Sequence, residues 1–196
     1  MKKQVLIGCV TLTVLVALGF AAEDKYSVAV PNGLAFSEFK GYEDWQVVAP
    51  SHTDAYNVMR VIVANPVMMK AYGEGIPANG KPFPEGSRMA KIEWEPRKIT
   101  EAPFSEKTPD TVPGRLTEVE FMEKDSTRFA DTRGWGYGAF KYDAVSDTFT
   151  PVTLADKPPQ GNNATCGATW HTLAAKKEIT FSPNTRGDKA AVVAPL

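Results

Sequence analysis

Three stretches of two-residue alternation constrain the fold of this chain most strongly. Apolar side chains alternate with other residues in the ranges 88–95, 116–123 and 134–142. Because successive side chains of a β-strand point to opposite faces, each range is predicted to be a strand with one face on a core. A β-branched run at 57–65 adds an internal strand. Together they predict an α+β fold, a mainly antiparallel β-sheet with one or two short helices packed against it.

The helices and connections are predicted from spacing and composition. Aromatic residues three apart in 34–45 indicate a short helix that ends near Gly41 and buries one side. Pro66 suits the first position of a helix that continues to about Tyr72. The range 98–113, rich in proline, threonine and charge, is predicted to be a long connection. His52 is placed in a surface loop or at a helix start.

Glycines occupy every second position at the beginning of the third alternating strand. Gly134, Gly136 and Gly138 alternate there with Trp135 and Tyr137. Glycine weakens a strand interior and often marks a close approach to the backbone. Two interpretations stay open: a flat ligand or aromatic surface lies against this face, or the glycines relieve crowding beside the two aromatic residues.

The first 22 residues have the organisation of a secretory signal peptide. Lys2 and Lys3 precede an apolar run, Val5 to Phe20, and the small residues Ala21 and Ala22 follow. The run is short for a membrane span of about 20 residues, so a retained anchor is the weaker alternative. We therefore expect cleavage, a periplasmic or secreted product, and no membrane association afterwards.

The mature chain has the length of one domain. We predict a mobile leader at 23–33, the folded domain at 34–182 and a loose tail at 183–196. The formal net charge is -1, from 22 basic and 23 acidic residues, and there is no basic stripe. Nucleic acid is therefore not expected as a partner.

A solitary cysteine is the feature that points to chemistry. Cys9 leaves with the signal peptide, so Cys166 is unpaired in the mature chain. Exported proteins usually pair their cysteines, so Cys166 is a free thiol, an intermolecular bridge or an attachment point. His171 lies five residues later. In C-x-x-C-H motifs two thiols attach haem and the histidine binds iron. Here Trp170 stands in place of the second cysteine.

A series of motifs runs along most of the mature chain. It comprises Phe39-Lys-Gly-Tyr-Glu-Asp-Trp45, Ala64-Asn-Pro-Val-Met68, Gly80-Lys-Pro-Phe-Pro-Glu-Gly86, Ala90-Lys-Ile-Glu-Trp94, Phe121-Met-Glu-Lys-Asp-Ser126, Arg128-Phe-Ala-Asp131, Gly134-Trp-Gly-Tyr137 and Cys166-Gly-x-x-x-His-Thr172. In these motifs the chain resembles the cytochrome P-460 family, which includes the β-sheet cytochromes c′. The resemblance implies a periplasmic, mainly antiparallel protein, often a homodimer, with one c-type haem near the C-terminus. Family activities include hydroxylamine oxidation and nitric oxide binding.

The resemblance also assigns roles to residues of this chain. It implies haem c, with Cys166 as the attachment point and His171 as the iron ligand. Because one cysteine is missing, haem is singly attached, noncovalently held or absent. In cytochrome P-460 proper a lysine is cross-linked to the macrocycle, and Lys91 is the candidate here. Glu93 is the candidate proton relay, since proton transfer from bound hydroxylamine needs a carboxylate within reach. The alternative is that both side chains are simply solvated.

Three functions follow as hypotheses. The first is a haem protein that oxidises or binds small nitrogen compounds and works with a redox partner protein. The second is a haem-free family member with a structural or binding role, in which Trp170 and His171 fill the former pocket. The third is a small-molecule binding module that uses the glycine-lined face without iron.

Overall fold

The structure is a computed structural model that describes residues 24–30 and 33–152. Within these ranges the chain forms a six-stranded antiparallel sheet whose strand order follows the chain. The strands are β1 (Gln46–Thr53), β2 (Val58–Ala64), β3 (Arg88–Ile99), β4 (Asp110–Lys124), β5 (Trp135–Asp143) and β6 (Thr148–Pro151). The helix α1 spans Pro66–Gly73, and short 3₁₀ helices span Lys25–Ser27, Phe36–Phe39, Tyr42–Asp44 and Ala130–Thr132. No helix in the described ranges is long and apolar enough to cross a membrane. The predicted α+β fold is confirmed.

One asparagine joins the start of α1 to the sheet. The side-chain oxygen of Asn65 accepts hydrogen bonds from the backbone N–H of Met68 (3.0 Å) and of Arg88 (3.1 Å). Its amide nitrogen donates to the carbonyl of Gly86 at 2.8 Å. Asn65 is thus the N-cap residue, and Pro66 takes the first helical position as predicted.

Each face of the sheet carries its own core. On the helix face, α1 packs through Met68, Ala71 and Tyr72 against residues of the sheet and of the following loop, namely Ala64, Phe83, Met89, Met122, Trp135 and Tyr137. The opposite, aromatic face is covered by the segment before β1. There Phe39 stacks on Phe121 with ring centroids 4.1 Å apart, and Phe36 meets Phe121 edge-on at 5.0 Å. The aromatic stripe of 34–45 therefore lies in the core as predicted, on two 3₁₀ helices instead of one helix, because Gly41 adopts a left-handed conformation between them.

Part of the segment predicted as a mobile leader contacts the sheet. Val30 is only 2% exposed and belongs to the aromatic core. Lys25 pairs with Glu43, Nζ to Oε1 2.6 Å, and its ammonium group lies within 6 Å of three aromatic rings. The domain boundary at Leu34 and the mobility of 23–33 stay predictions.

A hydrogen bond from β3 and an ion pair from the loop after β4 attach this covering segment to the sheet. Arg88 on β3 donates two hydrogen bonds to Oε1 of Glu123 on β4, at 2.8 and 2.6 Å, and one to the carbonyl of Glu38 at 2.8 Å. Arg128 pairs with the Glu38 carboxylate at 2.6 Å. Since Glu123 is 4% exposed, its pairing with Arg88 avoids the large cost of an uncompensated buried charge.

Two predictions about the strands are wrong. The predicted connection at 98–113 is too long: β3 continues to Ile99 and β4 begins at Asp110, so that 100–109 connects them. The prolines made this range look like a loop. Pro96 and Pro113 pair with each other at a level where β3 and β4 have no further strand beside them, and proline is tolerated at such edge positions. His52 lies within β1, with an exposed side chain, and not in a loop or helix start. A register irregularity between Val47 and Ala49 broke the alternation by which β1 is recognised.

The glycines of β5 make room for the protein's own side chains. A Cβ built on Gly136 would lie 2.2 Å from the ring of Phe129, and one on Gly138 would lie 3.3 Å from Val30. At Gly136 the aromatic surface of the first interpretation is present, and it is the ring of Phe129 from the same chain. Crowding is the cause, but it comes from Phe129 and the covering segment on the face opposite to Trp135 and Tyr137.

Replacing Gly136 by alanine tests this packing. We expect Gly136→Ala to lower the free energy of unfolding by about 1–3 kcal/mol, because the new methyl group overpacks the Phe129 site. Urea unfolding followed by tryptophan fluorescence measures the change. Gly73→Ala is the matched control, because no atom lies within 4 Å of its added Cβ. Equal stability of the two variants would contradict the packing explanation.

Candidate functional site

The structure describes two of the four predicted site residues. Lys91 and Glu93 lie on β3, two residues apart and on the same face. Cys166 and His171 lie outside the described residues. The pairing of Lys91 with Glu93 is therefore a finding, and their relation to Cys166 and His171 stays a prediction.

Strand register gathers charged residues into two rows on the helix face. In the first row Lys91 of β3 is opposite Glu120 of β4. The second row crosses four strands in the order Arg60, Glu93, Glu118 and Lys141. We call these six residues the charged patch. It lies next to the buried row of Met89, Met122 and Tyr137, over which α1 packs.

Lys91 is the centre of the charged patch. Its Nζ lies 2.7 Å from Oε2 of Glu120 and 3.0 Å from Oε1 of Glu93, and a quarter of its side chain remains exposed. Burial lowers the pKa of Lys91, but the charges and hydrogen bonds of Glu120 and Glu93 outweigh it, so that the pKa is raised. Lys91 is therefore an ammonium ion at neutral pH, held by two carboxylates.

Glu118 is a functional candidate that sequence reasoning missed. Its antiparallel partner on β3 is Glu93, and like charges at opposed positions destabilise each other. Burial and the neighbouring carboxylates of Glu120 and Glu93 raise the pKa of Glu118 to about 7, against the opposing effect of Lys91. Glu118 and Glu120 are two residues apart in an alternating strand, a signal from which their shared face could have been found. The sequence alone does not show which residues of β3 and β4 pair, so it could not place Glu93 opposite Glu118.

The charged patch can exchange protons at neutral pH. Glu118 titrates near pH 7, which is the range in which a general acid or base is most effective. Perturbed carboxyl groups of this kind mark candidate functional sites, although ion-pair networks also produce them. The patch thus combines a fixed positive charge at Lys91 with a proton donor or acceptor at Glu118.

The described residues provide no multidentate metal site of His, Cys, Asp and Glu side chains. Within residues 24–30 and 33–152 no group of three or more His, Cys, Asp or Glu side chains is placed to hold a metal ion. His52 is exposed and lies 3.3 Å from Asp54 at the end of β1. Haem iron needs few protein ligands, because the macrocycle holds it and one histidine suffices axially. A haem group therefore does not require a cluster of several metal ligands in the described ranges.

The family of the chain follows from comparison with known proteins. A family model described as Cytochrome P460 matches residues 39–182. This range includes all six strands, the charged patch, Cys166 and His171. The chain belongs to the cytochrome P460 family. No curated protein matches it. As a cytochrome P460 family member it belongs to a family of haem proteins, and haem is the cofactor that the family implies.

Glu118→Gln tests the raised pKa of Glu118. A carboxyl whose folded-state pKa lies above its ordinary value of 4.5 stabilises the fold at low pH, and this contribution is lost as pH rises from about 4.5 to 7. We therefore expect Glu118→Gln to stabilise the protein at pH 8 relative to the wild type, with little difference at pH 4. Urea midpoints at both pH values measure the effect.

Glu106→Gln, which changes an exposed carboxyl group outside the charged patch, serves as the control. If the wild type and Glu118→Gln respond to pH in the same way, Glu118 does not titrate near neutrality.

Proposed function

We propose that this cytochrome P460 family protein is an exported c-type haem protein that binds or oxidises small nitrogen compounds such as hydroxylamine and nitric oxide. The observation that carries the proposal is the extent of the family match, which reaches residue 182 and so includes Cys166 and His171. Cys166 would form a single thioether and His171 would bind the iron. The signal-peptide pattern of residues 1–22 supports delivery to the periplasm.

The charged patch supplies the protein's part of this chemistry. When bound, haem would supply a redox-active iron that takes small nitrogen ligands. Lys91 would offer a positive charge and N–H donors to such a ligand, because Glu93 and Glu120 keep it protonated and oriented. Glu118 would accept or return a proton near pH 7. Oxidation also releases electrons, so a redox partner protein would be their acceptor.

A cross-link between Lys91 and the macrocycle would replace a C–H bond of the macrocycle by an N–C bond, which requires a two-electron oxidant and the loss of two protons. An ammonium ion is not a nucleophile, and the neighbouring carboxylates raise the pKa of Lys91. Glu93 or Glu120, which lie 3.0 and 2.7 Å from Nζ, would have to accept the proton before a bond to the macrocycle could form. Either of these two carboxylates would serve Lys91 as the proton acceptor.

A haem-free role is the second candidate function. Trp170 occupies the place where the second attaching cysteine of the C-x-x-C-H motif stands, and an indole adds bulk beside His171. In this case the family fold would serve as a structural or binding domain. The two functions differ in one measurable property: whether the protein contains haem, bound covalently or noncovalently.

Coexpression with a c-type haem maturation system separates the two candidates. We expect a Soret absorption band and a mature protein whose mass includes one haem that resists acid extraction. Cys166→Ala should make the haem extractable, because the single thioether is lost. A band lost on acid extraction of the wild type would indicate noncovalent haem. Colourless protein of the bare mature mass would establish the haem-free role.

His171→Ala tests the iron ligand. We expect it to abolish or shift the Soret band, because the axial nitrogen donor is removed. His52→Ala is the matched control, since His52 is the other histidine of the chain and is exposed on β1. The same spectrum in both variants and the wild type would refute the role of His171.

Lys91→Ala tests the cross-link to the macrocycle. If the bond exists, we expect the variant to show a shifted Soret band, because a substituent of the macrocycle is removed, and a tryptic digest should lose the haem peptide that contains residue 91. Lys81→Ala, an exposed lysine in the loop before β3, is the control. A haem that carries only the Cys166 peptide in the wild type contradicts the cross-link.

A further inference from the structure

A row of three side chains crosses the aromatic face near the turn that joins β1 to β2. His52 of β1 is opposite Met59 of β2, and Met59 is opposite Trp94 of β3. Directly opposed residues of antiparallel strands share one face, and their Cβ atoms are about 4.5–5.5 Å apart. An imidazole, a thioether and an indole are therefore neighbours on one surface. We call these three residues the His–Met–Trp row.

The His–Met–Trp row lines an apolar hollow in the protein surface. The hollow has a volume of about 350 Å³, and all three residues of the row contribute to its lining. Its other apolar lining residues are Pro50, Val61 and Pro113. Arg60 and Ser51 also border it, but by strand alternation their side chains point to the helix face, where Arg60 Nε donates to Ser51 Oγ at 2.7 Å. The hollow is therefore an apolar recess that contains one nitrogen donor and one sulfur donor.

The imidazole of His52 is placed so that one ring nitrogen stays available. Its Nδ1 lies 3.3 Å from Oδ1 of Asp54, and 42% of its side chain is exposed. In a neutral imidazole one nitrogen carries a proton and the other has a free lone pair. A proton on Nδ1, directed at the Asp54 carboxylate, leaves the lone pair on Nε2. Metal-binding histidines commonly have this arrangement, in which the second nitrogen donates to a carboxylate that orients the ring.

The donor types of the row favour a soft monovalent metal ion. A thioether is a poor ligand for hard cations, and zinc sites use thiolate, imidazole and carboxylate donors instead. Cu(I) prefers soft sulfur ligands, accepts imidazole and is stable with few ligands. The face of an indole attracts a cation that lies within about 6 Å of the ring centroid, and tryptophan is the best aromatic residue for this contact. Trp94 can therefore cover an ion that Met59 and His52 hold.

We propose that the His–Met–Trp row is a binding site for Cu(I), and for Ag(I) as its chemical analogue. Nε2 of His52 and Sδ of Met59 are the ligands, and the indole of Trp94 covers the ion. The apolar lining favours Cu(I) over Cu(II), because surroundings of low polarity penalise the higher charge more strongly. The row lies on the face of the sheet opposite to the charged patch, so the proposal does not depend on haem.

Anaerobic titration of the purified mature protein with Cu(I) tests the site. All samples carry Cys166→Ala, because a free thiolate also binds Cu(I). With Cu(I) buffered by a chelator and the bound metal measured by mass spectrometry, we expect one ion per chain. Met59→Leu and His52→Gln should each weaken binding at least about 10-fold, since each removes one ligand and nearly keeps the size of the side chain. Zn(II) offered in place of Cu(I) should bind more weakly by at least the same factor.

Tryptophan fluorescence tests whether the ion lies against the indole of Trp94. Bound Cu(I) or Ag(I) should quench the emission of Trp94 through direct contact. The quenching should therefore disappear in Trp94→Phe. It should persist in Trp45→Phe, because the ring of Trp45 lies beside Phe39, with centroids 6.0 Å apart, and does not line the hollow.

Met69→Leu is the matched control for Met59→Leu, since Met69 is a partly buried methionine of α1 on the other face of the sheet. It should leave Cu(I) binding unchanged, and circular dichroism checks that each variant is folded. The proposal is overturned if the Cys166→Ala protein binds no Cu(I), or if Met59→Leu and His52→Gln bind it as tightly as that protein does. Zn(II) binding of equal strength that is lost in the same variants overturns the selectivity for a soft ion. Quenching that persists in Trp94→Phe overturns the role of the indole.

Discussion

The pairing of β3 with β4 is the constraint on which the rest of this structure depends. In one register, Lys91 is opposite Glu120 and Glu93 is opposite Glu118, and all four side chains share the helix face. The same register places Arg88 opposite Glu123, where it fastens the aromatic segment before β1. A shift by one residue would reverse the two faces, moving Met89 and Lys91 to the aromatic side. Core, charged patch and covering segment therefore all depend on this single alignment.

The charged patch shows how a sheet can tune carboxyl groups without a deep pocket. Glu93 and Glu120 form ion pairs with Lys91, and Glu118 lies opposite Glu93 on the neighbouring strand. Burial and the neighbouring carboxylates raise the pKa of Glu118. Conversely, Lys91 is kept charged by the neighbours that raise the pKa of Glu118. A chain of the cytochrome P460 family thus has both proton carriers and a fixed cation on one face.

Elements with strong periodicity were predictable from the sequence, and those without it were not. Strands β2 and β5, the regular parts of β3 and β4, and α1 with Pro66 at its start were all predictable from spacing. Strand β1 was not predicted because its irregularity near Val47 breaks the alternation. The paired ends of β3 and β4 beyond Glu95 were not predicted because Pro96 and Pro113 look like loop residues. Of the site, Lys91 and Glu93 were predicted from a resemblance. Glu118 depends on which residues of different strands face each other, a non-local property that one sequence does not carry.

Asn65 has a consequence for the whole sheet. Its amide bonds the first turn of α1 and the backbone on either side of Ser87, and its own N–H donates to the carbonyl of Arg88 at 3.0 Å. A shift of β3 along its neighbouring strands would break these hydrogen bonds, and the helix would lose its N-cap contact with the sheet. The helix has only eight residues and is weak by itself. Through Asn65 it is nevertheless compatible with only one alignment of the strand that carries Lys91.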